Sequence, residues 1–188
     1  MKNTIIQSAF IIITISLSAC GQAESPQAEN RQEMAEFYIA AFETLLAEDS
    51  GLNEGMEYLI IDFEELPAAD GGPTGNAATE PQTAEESGEK PGPEVIAEVL
   101  VYFEDTYGVE TREGDMQTIE QEGMMDEETM TIDGILLTIE DVRFTSKTEA
   151  IMEGTKFKGG LGAIGLRMEL KERESTWSVE QTEMLWVS

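Results

Sequence analysis

The feature that most restricts the fold of this chain is the alternation of apolar and polar residues in its C-terminal third. Within residues 164–170, isoleucine, leucine and methionine alternate with glycine, arginine and glutamate. This period of two places the apolar side chains on one face of a half-buried strand. Similar segments recur along this third and predict a meander of four strands: residues 135–142, 149–155, 164–170 and 176–187.

The last of these strands changes parity along its length. Trp177 and Val179 fall on one face, whereas Met184 and Trp186 fall on the other. A β-bulge inserts one residue and reverses the alternation. We therefore expect a bulge between the two pairs, which would place all four side chains in the core.

Upstream of the meander the period changes to that of a helix. Apolar residues recur at three- and four-residue spacing in residues 33–48 and again in residues 93–107. The second segment opens with proline, which suits a first helical turn, and Gly108 is placed to end it. A third, shorter helix is predicted from the N-cap Asp115 to Gly123.

The remaining segments complete an α+β fold. Residues 56–63 predict one earlier strand, whereas residues 66–93, rich in proline, glycine and glutamate, predict a disordered loop. We expect an antiparallel sheet, formed by the meander and the earlier strand, with about three helices covering one face. Residues 33–188 would then form a single domain, because about 128 of them lie outside the loop, which is enough for one core.

An apolar run near the N-terminus predicts export rather than a membrane span. Residues 5–17 follow Lys2 and are shorter than the ~20 residues that a helix needs to cross the hydrocarbon core. Small residues close the run, as in a secretory signal peptide. The sequence Leu-Ser-Ala-Cys-Gly at positions 17–21 then resembles the lipobox of bacterial lipoproteins.

This resemblance implies a fate for the mature chain. In that family the leader, here residues 1–19, is cut before the cysteine, so Cys20 would carry a diacylglycerol on its sulfur. Two acyl chains give stable anchoring. We therefore expect lipid anchoring on the outer face of the cytoplasmic membrane, with residues 20–32 as the lipidated cysteine and a flexible tether.

The residue types that are missing restrict the chemistry. The chain has no histidine, and Cys20 is its sole cysteine. A lipidated Cys20 leaves no thiol for a disulfide, a nucleophile or a metal, and Ser-His-Asp catalysis and the usual zinc ligand sets need histidine. We expect no metal site, no cofactor and no enzymatic activity. Carboxylate-dependent hydrolysis is a minor alternative, since 39 acidic residues prevent any one pair from being singled out.

Acidic residues dominate the charge of the chain. Lys and Arg number 11 against 39 Asp and Glu, which gives a formal charge of −28 at pH 7. Nucleic acid is not an expected partner, because phosphate binding needs a basic surface. The acidity fits either a surface adapted to saline or alkaline surroundings or a surface that gathers cations. Neither acidic cluster, at residues 62–65 or 126–128, has the spacing of a calcium loop.

One glycine-rich segment invites a ligand interpretation. Residues 160–165 match G-x-G-x-x-G, but the next segment predicts a strand where the dinucleotide fingerprint needs a helix. An anion-binding turn is a milder alternative, since glycine-rich backbone forms such concavities. The competing interpretation is a hairpin whose basic residues pair with carboxylates. The speculative ligand-binding residues are Lys156, Lys158, Gly160, Gly162, Gly165 and Arg167.

Five segments of the C-terminal half carry a second resemblance: residues 107–110, 133–137, 156–165, 177–179 and 184–188. They look like a group of small lipoproteins of Bacillus-like bacteria, which implies a Gram-positive, surface-facing protein and brings no activity. We therefore expect a lipid-anchored, non-enzymatic interaction module with a protein partner. The alternative is a small-ligand or cation sensor at the membrane surface.

Overall fold

One seven-stranded sheet organises the chain in the computed structural model, which describes residues 26–63 and 91–188. The predicted leader, Cys20 and most of the predicted loop lie outside these residues. The helices are α1 (Pro26–Ala47), α2 (Pro93–Tyr107) and α3 (Met116–Gln121), with a short 3-10 helix at Ser50–Asn53. The strands are β1 (Tyr58–Asp62), β2 (Glu110–Glu113), β3 (Met125–Asp126), β4 (Thr131–Ser146), β5 (Glu149–Gly159), β6 (Gly162–Arg173) and β7 (Thr176–Val187).

The sheet is mostly antiparallel. Its strand order is β2-β1-β4-β5-β6-β7, and β3 pairs with β4 outside this path. The four consecutive strands β4 to β7 form the predicted meander. The earlier strand departs from the prediction, because β1 runs parallel to both β2 and β4. Parallel neighbours need a crossover, and α2 supplies it between β1 and β2.

Two strands were missed by the sequence analysis because they are short and carry little apolar pattern. The four residues of β2 are Glu-Thr-Arg-Glu, of which Thr111 alone is buried. The two residues of β3 pair with the start of β4. Their positions are set by pairing with β1 and β4 rather than by their own sequence, so periodicity could not reveal them.

The first helix begins earlier than predicted. It starts at Pro26, inside the segment expected to be a flexible tether through residue 32. Proline is suited to a first helical turn. The guanidinium of Arg31 lies 3.6 Å from Glu94 and 3.4 Å from Glu98, both on α2. The extended part of α1 thus contacts α2 through polar side chains. The apolar pattern could not predict this extension, because it takes no account of polar contacts.

The main core lies between the sheet and the pair α1 and α2. Phe37 of α1 stacks on Phe144 of β4 at a centroid distance of 5.1 Å and meets Trp177 of β7 edge-on at 4.8 Å. Other large side chains that are completely buried here are Phe42, Leu45, Leu46, Leu59, Ile61, Phe63 and Phe103. The helical stripes predicted at residues 33–48 and 93–107 are thus confirmed as core.

The third helix covers the opposite face of the sheet, which corrects the expectation of helices on one face. Along β1, Leu59 and Ile61 point into the main core, whereas Ile60 packs against Ile119 of α3. The predicted N-cap is confirmed, since the Asp115 carboxylate accepts a hydrogen bond from the Thr118 amide at 2.7 Å. None of the described helices combines the length and apolarity needed to cross a membrane.

Candidate interaction surface

Lys156, a residue of the predicted ligand set, is completely buried and caps α1. Its Nζ donates hydrogen bonds to the carbonyls of Leu46 at 2.9 Å, Glu48 at 2.7 Å and Asp49 at 3.1 Å. Leu46 lies in the last turn of α1 and Glu48 and Asp49 follow its end, where helix carbonyls lack intrahelical amide partners. Desolvation lowers the pKa of Lys156 to about 8, although the charges of Asp49 and Glu48 oppose this shift. Lys156 therefore has a structural role.

The other two basic residues of that set do not join Lys156. The amine of Lys158 donates to the Glu54 carbonyl at 2.5 Å. Arg167 pairs with Glu153 at 2.8 Å and Glu183 at 3.2 Å on the face of the sheet opposite to Lys156. The hairpin interpretation, in which the basic residues pair with carboxylates, fits Arg167 only, because Lys156 and Lys158 bind backbone carbonyls. The three residues do not converge on a shared anion site.

The glycines of the predicted set serve the hairpin and its packing. Gly160 lies in the β5–β6 turn, and β6 follows where a dinucleotide site would need a helix. A Cβ on Gly162 would lie 3.1 Å from Leu52. A Cβ on Gly165 would lie 2.3 Å from Nε1 of Trp186, which is its cross-strand partner. Gly165 therefore allows the indole of Trp186 to lie against the sheet.

The two acidic clusters do not form a cation site within the described residues, where no three acidic groups converge. Asp126 accepts hydrogen bonds from the amides of Glu128 at 2.9 Å and Thr129 at 2.8 Å, so its carboxylate holds a turn. These bonds, the one from Thr129 first, lower the pKa of Asp126. In the other cluster, Asp62 lies near Thr138, and residues 64 and 65 lie outside the described part.

A surface that the sequence analysis placed in the core lies at the end of β7. The predicted bulge is confirmed, because Leu170 pairs with Val179 and Glu169 with Gln181, which leaves Glu180 as an extra residue. A second irregularity follows: Leu166 pairs with Met184 and Gly165 with Trp186. The first bulge brings Met184 to the α1 face, and the second turns Trp186 to the opposite face.

Placement of Met184 and Trp186 in the core is therefore wrong. Their exposed fractions are 44% and 43%, whereas Trp177 is 3% exposed. Two neighbouring turns extend this apolar surface, since Val187 pairs with Ile164 just after the β5–β6 turn and the Gly160 amide donates to the Met130 carbonyl at 3.1 Å. We call this surface the apolar end; it consists of Met130, Leu161, Met184, Leu185, Trp186 and Val187.

Two further properties make the apolar end a candidate for binding. It lies on β7, which is the last strand in the sheet order, so one row of backbone groups along β7 has no neighbouring strand among the described residues. Leu161 is 95% exposed and Val187 is 70% exposed. Exposed apolar side chains grouped in this way are typical of interaction surfaces, whereas single ones need no explanation.

The alternation of residues along the strands could have indicated two of these findings: the separation of Lys156 from Arg167 and the exposed apolar residues at the end of β7. On β5, Lys156 has the same parity as the buried Ala150 and Met152, whereas Arg167 on β6 has the parity of polar positions. Four consecutive apolar residues at 184–187 cannot all face one side of a strand. No protein-family model matches this chain, and neither a curated protein nor a solved structure does.

Proposed function

We propose that this protein is a lipid-anchored extracytoplasmic lipoprotein that acts as a non-enzymatic interaction module, and that the apolar end binds its protein partner. The observation that carries the proposal is the exposed group of apolar side chains at the free edge of the sheet. The leader at residues 1–19 and Cys20 supply the membrane anchor in this proposal.

The direction of α1 supports a partner in water rather than insertion of the apolar end into lipid. The first half of α1 meets β7 near Trp177, through Phe37. Its C-terminal end is capped by Lys156, which lies in the same cross-strand row as Ile164 and Val187. A helix of 22 residues is about 33 Å long, so the apolar end and the anchored end of the helix are far apart.

Charge supports the same conclusion. A chain with a formal charge of −28 is repelled by anionic lipid headgroups, so contact between its exposed apolar side chains and the membrane surface is unfavourable. A protein partner can place apolar side chains on the apolar end without this repulsion.

Position-specific cross-linking in the native membrane tests the proposal. A photo-reactive amino acid would replace Leu161 in the full-length protein, and the matched control would replace Val101, which is 56% exposed on α2. We expect a cross-linked product from position 161 and none from position 101. No product from position 161, or the same products from both positions, would overturn the proposed role of the apolar end.

The anchor has its own test. We predict that Cys20→Ala moves the protein from the membrane fraction to the medium or leaves its leader uncut, because the sulfur that would carry the lipid is lost. Fractionation, followed by mass measurement of the N-terminal peptide, would decide. A Cys20→Ala protein that is cut and retained like the wild type would contradict lipid anchoring but not the role of the apolar end.

A second candidate is a small-ligand sensor, favoured by an open groove of about 350 Å³ on the α3 face. Met116, Phe157 and Trp186 give the groove an apolar wall, and Asp115 and Gln117 add polar groups. A ligand that binds the folded state raises the melting temperature by mass action. Titration of calcium and of small anions against the melting temperature tests this candidate.

A further inference from the structure

We propose that the partner is an extended, cationic polypeptide segment with alternating apolar side chains, and that it adds to β7 as a further strand of the sheet. This inference rests on the proposed function, because it describes how the apolar end would bind.

The backbone of β7 offers the first requirement for strand addition. The Ser188 amide donates to the Ala163 carbonyl at 3.0 Å, so the backbone of Ser188 faces β6. Successive residues of an antiparallel strand direct their N–H and C=O groups to alternate sides. The amide and carbonyl of Val187 therefore face the free edge, next to the most exposed apolar side chain of β7.

The two parts of β7 differ in how the edge is protected. Natural edge strands are protected by charged residues, proline, bulges or a covering element. In the first part, Glu180 pairs with Arg173 at 3.0 Å and Glu183 with Arg167 at 3.2 Å. Residues 184–187 contain neither a charge nor a proline. The apolar end thus lacks charge and proline as edge protection and has only the bulge at Leu185.

The two bulges of β7 determine which side chains flank this edge. Together they place Met184 and Val187 on the α1 face of the sheet and Trp186 on the opposite face. A strand added beside β7 would have side chains alternating between these two faces. A segment that alternates apolar and cationic residues would therefore place its apolar side chains beside Met184 and Val187 on the α1 face and its cationic side chains on the face of Trp186. Backbone hydrogen bonds would supply the affinity, as in other cases of strand addition.

The charge of this chain favours one kind of partner at the apolar end over the others. The whole chain carries a formal charge of −28, and the exposed Glu127 and Glu128 precede Met130 by a few residues. The basic residues near Leu161 and Met184 are already held, Lys158 by the Glu54 carbonyl and Arg167 by Glu153 and Glu183. A second copy of this chain would bring the same charge, and anionic lipid would also be repelled. A segment with lysine or arginine among its apolar residues is attracted instead by the negative charge of this chain.

Binding of synthetic peptides to the full-length protein in neutral detergent micelles tests the inference. The probe is a peptide of about nine residues that alternates valine and lysine, which spans the apolar end with residues to spare. One control peptide alternates valine and glutamate. A second control repeats the valine–lysine sequence with an N-methyl group on every residue, which removes the amides of both edges.

We expect the valine–lysine peptide to bind at least about tenfold more tightly than either control, as measured by fluorescence anisotropy of a label on the peptide. Hydrogen exchange at the Val187 amide should slow in the complex, since that amide gains an acceptor. Equal affinity for the N-methylated peptide would overturn strand addition. Equal affinity for the valine–glutamate peptide, or no binding of any peptide, would overturn the cationic chemistry.

Matched variants separate the edge from general electrostatics. Val187→Lys and Val101→Lys change the net charge equally, at exposed valines on β7 and on α2. We expect the first to weaken peptide binding about tenfold and the second to have little effect. Val187→Pro, which removes the edge-facing amide, should weaken binding similarly. Equal effects of the two lysine variants would overturn the site, and a dimer of the peptide-free wild type in analytical ultracentrifugation would identify a second copy as the occupant.

Failure of this inference is distinguishable from failure of the proposed function. A cross-linked partner at position 161 whose capture is unaffected by Val187→Pro would overturn strand addition and leave the interaction module in place. Absence of any cross-linked partner at position 161 would overturn the proposed function itself, whatever the peptides do.

Discussion

The two parts of β7 each carry a tryptophan but place it in opposite environments. Trp177, at its start, packs against Phe37 and Phe144 and is buried, whereas Trp186, near its end, is half exposed. Two features of the fold cause this difference. The first half of α1 meets β7 while its last turns lie over β5, where Leu45 packs against Gly154, and the second bulge of β7 turns Trp186 to the face opposite α1. An apolar residue of a strand is therefore core only where a second layer covers it.

The largest expected effect separates the two tryptophans. We predict that Trp177→Ala lowers the free energy of unfolding by about 3–5 kcal/mol, because it removes a buried aromatic side chain from a packed cluster. Trp186→Ala should cost about 1 kcal/mol or less. Urea unfolding of both full-length variants, followed by circular dichroism, measures the difference. Equal losses would show that the end of β7 belongs to the core after all.

The pH dependence of stability tests the role of Lys156, which caps the C-terminal end of α1. The unfolded chain keeps the Lys156 proton up to about pH 10.5, whereas desolvation lets the folded chain release it near pH 8. Between these values the unfolded state binds more protons, so the stability contributed by Lys156 rises with pH. We predict that the stability of wild type relative to Lys156→Met increases by about 2 kcal/mol from pH 8 to pH 10.

Wild type must be compared with Lys156→Met because other groups titrate at neighbouring pH values. Burial raises the pKa of Tyr38 to about 12, so the unfolded chain loses that proton first and stability falls above pH 10 for this reason. This loss is common to wild type and Lys156→Met and cancels in their difference. A stability difference that is flat between pH 8 and pH 10 would contradict a lowered pKa of Lys156 in the folded chain.

Sequence periodicity predicted the parts of the fold that are determined locally. The alternation at residues 164–170, the bulge after Val179 and the N-cap at Asp115 each follow from residues close together in the chain, and the structure has all three. The parallel pairing of β1 with β4 depends instead on the crossover through α2. Local pattern carries no information about such a long-range pairing.

The candidate site was less predictable for the same reason. Lys156 and Arg167 are close in sequence and in the hairpin, but β-sheet parity sends them to opposite faces. The exposure of Met184 depends on the path of α1, which lies more than a hundred residues away in the chain, whereas Trp186 is turned to the opposite face by the second bulge of β7. A pattern of apolar residues shows that a surface is suited to burial, and the placement of other elements decides whether it is buried by this chain or by a partner.

A smaller effect is expected at Gly165, which lies beneath Trp186. We predict that Gly165→Ala lowers the free energy of unfolding by about 1–2 kcal/mol, because the added methyl group must displace the indole. Gly160→Ala is the matched control in the same hairpin, since its Cβ would meet nothing closer than 3.9 Å, and it should change stability by about 0.5 kcal/mol or less. Denaturant unfolding of both variants, with Trp fluorescence as the signal, gives the comparison. Equal losses in the free energy of unfolding would show that the position of the Trp186 indole does not require glycine at position 165.

The smallest expected effect concerns the ion pairs that protect the first part of β7. We predict that Arg167→Met leaves the free energy of unfolding nearly unchanged, because the side chain is 41% exposed and solvent screens its pairs with Glu153 and Glu183. The same variant should bind the valine–lysine peptide about twofold more tightly, since Glu183 beside the apolar end becomes free to attract lysine. Arg112→Met, which removes one positive charge near α3, controls for net charge and should leave the affinity unchanged. If both variants raise the affinity equally, overall charge rather than the edge of β7 governs attraction, and the two parts of the strand differ in packing alone.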